Sequence, residues 1–172
     1  ARGIPHGAVD SEDTLPLLYN SELDELKLQG KISYGELGVH KKSLRGFVNE
    51  YARNDDEEDR ASVIDQLYSN PDTIKRRMPL DPELARKVTF MKKEYLTMSR
   101  GVMDDGYWDV VSRNLDNPEM VAEYVKLQSQ MLVKLSNPAF KQFIKNKLGK
   151  VLADTEVAEW KSEIALGVQR EQ

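Results

Sequence analysis

The sequence predicts an all-α protein, an irregular bundle of about seven or eight short-to-medium helices behind an extended N-terminal arm. Apolar residues recur at helical spacing in successive segments along most of the chain. Asn-Pro or Asp-Pro pairs open four of these segments, and Pro pre-sets the first helical φ. No segment has the clean alternation of apolar and polar residues that is typical of strands. Frequent Pro starts force changes of chain direction, which favours an irregular bundle.

The first segment, residues 1–16, is the predicted extended arm. It contains Pro, Gly and an acidic patch and has few sizeable apolar residues. If the arm is ordered, its apolar side chains must pack on its own domain or on a neighbouring subunit. Ile4 and Val9 are therefore candidate interaction residues.

The predicted helical domain spans residues 17–166 and begins with three helices. The first ends at Gly30. The second covers 41–53 and contains Gly46, which costs on the order of 1 kcal/mol against Ala inside a helix. The third follows the acidic run 55–59, because acidic side chains favour the positive end of the helix dipole.

The next three helices are bounded by strong local signals. Asn70-Pro71 opens a short helix, and Asp81-Pro82 opens the longest one, which Gly101 ends. A compact helix around Trp108 follows. A final helix is predicted from about Thr155 to Leu166. Residues 167–172 are expected to be a frayed tail.

Two consecutive helices between these share a Leu-x-Asn-Pro start, at residues 115–118 and 135–138. Asn117 and Asn137 are the predicted caps, because an Asn side chain can accept the unpaired amide protons of a first turn. The first of these helices has one apolar stripe, and we expect that stripe to face the core. Its members are Met120, Tyr124, Leu127, Met131 and Leu135, and Val121 and Leu132 widen it.

These Asn-Pro helices resemble the short Asn-Pro and Asp-Pro repeats of heat-shock co-chaperones and ubiquilins. The resemblance covers residues 115–148, together with Asn70-Pro71 and Asp81-Pro82. It implies a module that binds apolar peptide segments in a helical groove. The Met- and Gln-rich flanks of that family are absent here, so no functional residue is assigned from the resemblance.

The segment 134–150 is a basic amphipathic helix, with five Lys and no acidic residue. Such a helix can lie on an anionic membrane surface or bind an acidic protein face. Packing of its apolar side into the core explains the same pattern. The candidate interaction residues of this helix are Lys141, Lys145, Lys147 and Phe140.

The chain has few side chains that suit catalysis. His6 and His40 are its only histidines, and the absence of Cys excludes thiol catalysis, disulfides and thiolate metal sites. No zinc, phosphate-loop, dinucleotide or nucleophile-elbow motif occurs. The acidic pairs and runs lack the spacing of a calcium loop. We therefore expect no enzymatic activity, no cofactor and no metal site.

Charge and hydropathy limit the partners. A formal net charge of −4 argues against nucleic-acid binding. No apolar run is long enough to span a membrane, so a soluble or peripheral protein is expected. The chain begins with Ala, which fits either processing after import or a trimmed sequence. The first interpretation predicts a plastid or mitochondrial location beside a membrane complex, and the second a cytosolic one.

These observations together predict a non-enzymatic helical interaction protein, a small peripheral, linker or stabilising subunit of a larger complex. Its expected partners are other protein subunits, with a further contact of residues 134–150 with an anionic membrane or an acidic protein face. A co-chaperone-like module that binds apolar peptides is the alternative. An enzyme that uses carboxylates or hydroxyls is a third hypothesis.

Overall fold

A computed structural model of the chain describes residues 17–32 and 37–170. The described residues form helices and turns with no strand, which confirms the predicted all-α class. The predicted arm, with Ile4 and Val9, lies outside the described residues.

The helices follow one another with short connections. They are α1 (Asn20–Leu28), α2 (Leu37–His40), α3 (Asp56–Ser69), α4 (Pro71–Arg77), α5 (Pro82–Met98), α6 (Asp105–Arg113), α7 (Pro118–Lys134), α8 (Asn137–Leu148) and α9 (Asp154–Arg170). Two short 3-10 turns lie between α2 and α3, at Lys42–Leu44 and Tyr51–Arg53. Helix α9 continues beyond Leu166, where the sequence pattern ended it.

Two compact units divide the chain, and their boundary falls inside α5 between Thr89 and Phe90. We call them the N-terminal unit and the C-terminal unit. The predicted single domain over 17–166 stays a prediction.

The helix predicted over 41–53 is wrong. This segment instead forms the two 3-10 turns, and Gly46 between them has a φ of +81°. The Gly46 amide donates to Oδ2 of Asp81 at 2.8 Å, so the chain turns at Gly46 instead of continuing a helix. Residues other than Gly rarely adopt this φ. Gly46 therefore interrupts the helix that the apolar spacing predicted.

The N-terminal unit buries many, but not all, of the apolar side chains in its predicted helical patterns, since Leu28 and Tyr68 are exposed. Asp55 begins α3 by accepting the Glu58 amide proton at 2.8 Å. Helix α3 packs on the second 3-10 turn and on α4, and α2 also packs on α4. The most buried apolar side chains of this unit are Leu23, Val39, Ala52, Val63, Leu84 and Val88.

The C-terminal unit has a contiguous apolar core built from α7, α8, α9 and the segments beside them. The core side chains are Val102, Leu132, Phe140, Ile144, Leu152, Val157, Trp160 and Ile164. Two cations lie over the Trp160 ring, with Arg100 Cζ at 4.3 Å and Lys150 Nζ at 4.9 Å from its centroid. These contacts place two positive charges over the face of the buried Trp160 ring.

Gly101 ends the α5 segment as predicted, and the structure shows why this residue is a glycine. Its φ is +94°, and a Cβ there would lie 2.8 Å from Cε1 of Phe143. The backbone can therefore approach the ring of α8 only where no side chain intervenes.

The predicted capping role of the two Asn side chains is wrong. Asn117 precedes α7, but its side chain makes no capping hydrogen bond. The α8 cap is Ser136, whose hydroxyl accepts the Ala139 amide proton at 3.3 Å. Asn137 lies inside the first turn of α8, where its Oδ1 accepts a proton from Lys161 Nζ at 3.1 Å. Asn137 therefore joins α8 to α9 instead of capping α8.

Candidate interaction surface

The prediction that the apolar stripe of α7 faces the core is wrong for three of its five members, whereas Tyr124 and Leu135 are partly buried. Met120, Leu127 and Met131 expose 48%, 55% and 42% of their surface. The inward face of α7 contains Ser129 and Leu132, which expose 3% and 0%. We call Met120, Leu127 and Met131 the α7 face.

Helix geometry explains why α7 cannot bury both of its apolar surfaces. At about 100° per residue, Leu132 lies about 140° around the helix from Leu127. Leu132 belongs to the core, and α7 packs against α6 and α9. The α7 face is therefore left outward, as a line of large apolar side chains of the kind that marks binding surfaces.

A polar cluster that the sequence analysis missed fixes the orientation of α7. Asp104 caps α6 by accepting the Tyr107 amide proton at 2.9 Å. The same carboxylate accepts protons from Tyr124 Oη at 2.6 Å and from Gln128 Nε2 at 3.2 Å, both from α7. Burial and the hydrogen bond to Asp104 raise the pKa of Tyr124. With two α7 side chains bound to the start of α6, the α7 face is held outward.

Four exposed charges lie along α7 and are arranged by sign. Glu119 and Glu123 lie in its first half, Lys126 is its central residue, and Lys134 is its last residue. None of the four makes a side-chain ion pair or hydrogen bond with a residue in the described part of the chain. Acids near the start and bases near the end also complement the helix dipole.

The predicted basic helix keeps only part of its charge for a partner. Lys141 forms an ion pair with Asp154, and Lys150 pairs with Glu156 at 3.3 Å. The hydrogen bond and the charge of Lys141 lower the pKa of Asp154. Two of the five lysines of the segment 134–150 are thus engaged within the C-terminal unit.

Lys145 and Lys147 are the remaining lysines of α8. Both are exposed, and neither pairs with an acid among residues 17–32 and 37–170. These two side chains therefore stay candidates for an anionic contact.

Phe140 cannot serve as the predicted contact residue in the folded protein, because it is 0% exposed in the core. Lys161 lies over its ring, with Nζ 5.5 Å from the centroid, and donates to the Leu135 carbonyl at 2.5 Å. Phe140 therefore positions α8 rather than meeting a partner.

The N-terminal unit contains a buried ion pair between Arg77 and Asp81, which expose 1% and 0% of their surface. Arg77 Nη2 lies 3.3 Å from Asp81 Oδ2 and donates to the Leu44 carbonyl at 2.9 Å, while Nη1 donates to the Val48 carbonyl at 3.3 Å. Burial lowers the pKa of Arg77, and the charge of Asp81 opposes that effect. The pair holds the loop around Gly46 and offers no open position to a substrate.

In the described ranges, no group of three or more His, Asp or Glu side chains is arranged to hold a metal ion. None of the helices that the structure describes combines the length and the apolar character needed to cross a membrane.

No protein-family model matches this chain, and neither a curated protein nor a solved structure matches it. The resemblance to the co-chaperone repeats therefore rests on the Asn-Pro motifs alone.

Proposed function

We propose that this protein is a non-enzymatic helical interaction protein, a small peripheral, linker or stabilising subunit of a larger protein complex. The observation that supports the proposal most is the α7 face. Each Å² of apolar surface removed from water contributes roughly 25 cal/mol, so covering this face with a partner stabilises the complex. The partner surface that fits is itself apolar, with charges at its margin.

The absence of enzymatic activity in this proposal rests on the sequence. Two His and no Cys leave few side chains that titrate near neutral pH. The buried acid Asp81 and the α6 cap Asp104 are both occupied by hydrogen bonds from the chain itself. Their geometry supports structural roles for these two carboxylates.

Lys145 and Lys147 supply a second, weaker contact in the proposal. Two exposed charges attract an acidic protein face or an anionic lipid surface. At 0.1 M ionic strength, however, salt screens the attraction between exposed charges that lie more than about 10 Å apart. The apolar α7 face is therefore the main contact and the lysines are an auxiliary one. An organellar location stays a prediction.

The test compares two leucines of the C-terminal unit with similar exposure. Leu127 on α7 exposes 55% of its surface and Leu166 on α9 exposes 50%. We expect Leu127→Glu to shift the tagged chain from a high-mass fraction of a gentle native extract to the mass of the free chain. Leu166→Glu is the matched control and should stay in the high-mass fraction.

Circular dichroism of both purified variants should show unchanged helix content, since both side chains are exposed. A wild-type chain that elutes without any stoichiometric partner would contradict the proposal. So would a Leu127→Glu variant that remains in the complex.

The co-chaperone-like alternative is favoured by one observation, the methionines of the α7 face. Met120 and Met131 are exposed, and flexible thioether side chains adapt to varied apolar segments. If this alternative holds, a fluorescent apolar peptide should bind the purified chain saturably, and Leu127→Glu should abolish that binding. Absence of any anisotropy change with the wild-type chain would exclude it.

A further inference from the structure

The charge pattern of α7 is complementary to itself when the helix is reversed. Glu119 and Glu123 lie in the first half of α7, Lys126 is its central residue, and Lys134 is its last residue. Two copies of α7 packed antiparallel place the acidic first half of each helix beside Lys134 of the partner subunit. Two copies packed parallel place like charges together, which is destabilising.

The three apolar side chains suit the same arrangement. Leu127 lies near the middle of α7, with Met120 two helical turns before it and Met131 about one turn after it. A two-fold axis through Leu127 places Met120 level with Lys134 of the partner subunit. Methionine side chains can fill the irregular space beside the axis because they are unbranched and flexible.

The exposed charges of α7 differ from other charges in the same unit. Arg100 pairs with Glu163 at 2.7 Å, and Lys141 pairs with Asp154. The four α7 charges, in contrast, have no partner among the described residues and flank the exposed apolar line. Charges of this kind steer association and select the orientation of the partner.

We propose that the α7 face docks on the α7 face of a second copy of this chain, in an antiparallel and two-fold symmetric dimer. The proposal rests on the proposed function, because it names the partner of the same surface. A two-fold contact uses the same surface patch on both copies, and a self-complementary patch is its requirement.

The size of the surface sets the expected strength. Helix α7 has 17 residues and is therefore about 25 Å long. A contact of one helix with one helix buries less than the roughly 1,600 Å² of a standard stable interface. The dimer is therefore a weak one that forms and dissociates with protein concentration.

Introduced cysteines test the geometry directly, because the chain has no Cys of its own. Leu127→Cys should form a disulfide-linked dimer under mild oxidation, since the two copies of this residue meet at the axis and disulfides need Cα atoms within about 7 Å. Met120→Cys and Lys134→Cys should each stay monomeric alone and should crosslink when mixed. Ala158→Cys, at an exposed position of α9, is the control and should not crosslink.

Three outcomes overturn this dimer. A Met120→Cys chain that crosslinks with itself shows a parallel arrangement. A Leu127→Cys chain that crosslinks no faster than Ala158→Cys shows that the two-fold axis lies elsewhere. A wild-type chain that sediments as a monomer at every concentration up to about 1 mM shows that the self-contact does not form; that is a dissociation free energy weaker than roughly 4 kcal/mol.

Charge reversal tests the electrostatic part. The double variant Glu119→Lys/Glu123→Lys should weaken the dimer at low salt about tenfold, and so should Lys126→Glu/Lys134→Glu. Mixing the two variants should restore association, because a basic α7 then faces an acidic one. If the charges only complement the helix dipole, the variants will change the thermal midpoint but not the sedimentation, and the proposal fails.

The two proposals can fail separately. If the purified chain is monomeric but Leu127→Glu still removes it from the native high-mass fraction, the α7 face binds a different protein. The dimer is then wrong and the interaction function holds. If the purified chain dimerises but no larger complex exists, the dimer holds and the role as a subunit of a larger complex fails.

Discussion

Both units of this protein bury apolar side chains, but they differ in where their ion pairs lie. The N-terminal unit places a buried ion pair, Arg77 with Asp81, against backbone groups of the loop around Gly46. The C-terminal unit buries a contiguous apolar cluster that includes Phe140 and Trp160. Its own ion pairs, such as Arg100 with Glu163 and Lys141 with Asp154, lie at the surface.

This difference determines where each unit can meet a partner. A buried charge needs a partner of opposite charge, because an unpaired charge in a dry interior costs several kcal/mol. The Arg77 and Asp81 groups are thus committed to the loop that they hold. An apolar core requires only that side chains fill its volume. Helix α7 can therefore contribute Leu132 to the core and still present the α7 face to solvent.

Replacement of Asp81 should produce the largest effect and is the strongest test of the comparison. Asp81→Ala leaves the Arg77 charge buried without its partner, and we expect a loss of about 3–5 kcal/mol in the free energy of unfolding. Urea unfolding measures the loss. Hydrogen exchange should show reduced amide protection before residue 89, in the N-terminal unit.

The matched control is Glu50→Ala, which removes the exposed acid that lies 3.4 Å from Arg53 in the same unit. An exposed pair contributes at most about 1 kcal/mol, so this variant should unfold close to the wild-type midpoint. If Asp81→Ala and Glu50→Ala have equal effects, the N-terminal unit does not depend on its buried pair.

Helix capping in the C-terminal unit should produce a smaller effect. Ser136→Ala removes the observed α8 cap and should cost about 1 kcal/mol. Asn117→Ala should change stability by only a few tenths of a kcal/mol, because its side chain makes no capping bond. Differential scanning calorimetry of the two variants gives the comparison. A larger loss for Asn117→Ala would restore the capping role that the sequence predicted.

The pH dependence of the Lys141 and Asp154 pair should give the smallest effect. Lys141 lowers the folded-state pKa of Asp154 below its ordinary value of 3.8. A lowered acid pKa contributes stability above the unfolded-state value, and that contribution is lost as pH falls through the folded-state pKa. The thermal midpoints of wild type and Lys141→Met should therefore differ slightly at neutral pH and converge below about pH 4.

The same small difference should shrink in about 1 M salt, because both side chains reach solvent. A difference in thermal midpoint that persists at high salt would show that Lys141 and Asp154 are shielded from solvent. The contrast with the Arg77 and Asp81 pair would then disappear.

The sequence was sufficient for most helix boundaries and insufficient for two kinds of decision. The segment 41–53 has helical spacing, but the Asp81 carboxylate, 35 residues from Gly46, holds the turn that breaks it. Arg77 ends a basic triplet in the last turn of α4, a pattern that local sequence explains as complementing the helix dipole. Only the distant carbonyls of Leu44 and Val48 show that one of its members is buried.

The candidate surface was misjudged for a related reason. Periodicity showed that Met120, Leu127 and Met131 share one face of α7, and the structure agrees. Periodicity could not show that the side of α7 with Leu132 would be the side buried in the core. Both faces are apolar, so the choice depends on the shapes of the neighbouring helices.

The sequence by itself determined the all-α class and the places where most helices begin and end. These features depend on contacts within about one helical turn, such as the Asp55 cap and the prolines that open α4 and α7. The tertiary structure alone decided which apolar face of α7 is buried and which Arg of α4 is buried. Those outcomes depend on side chains that are far apart in the chain and compete for the same limited interior volume, and local patterns contain no record of that competition.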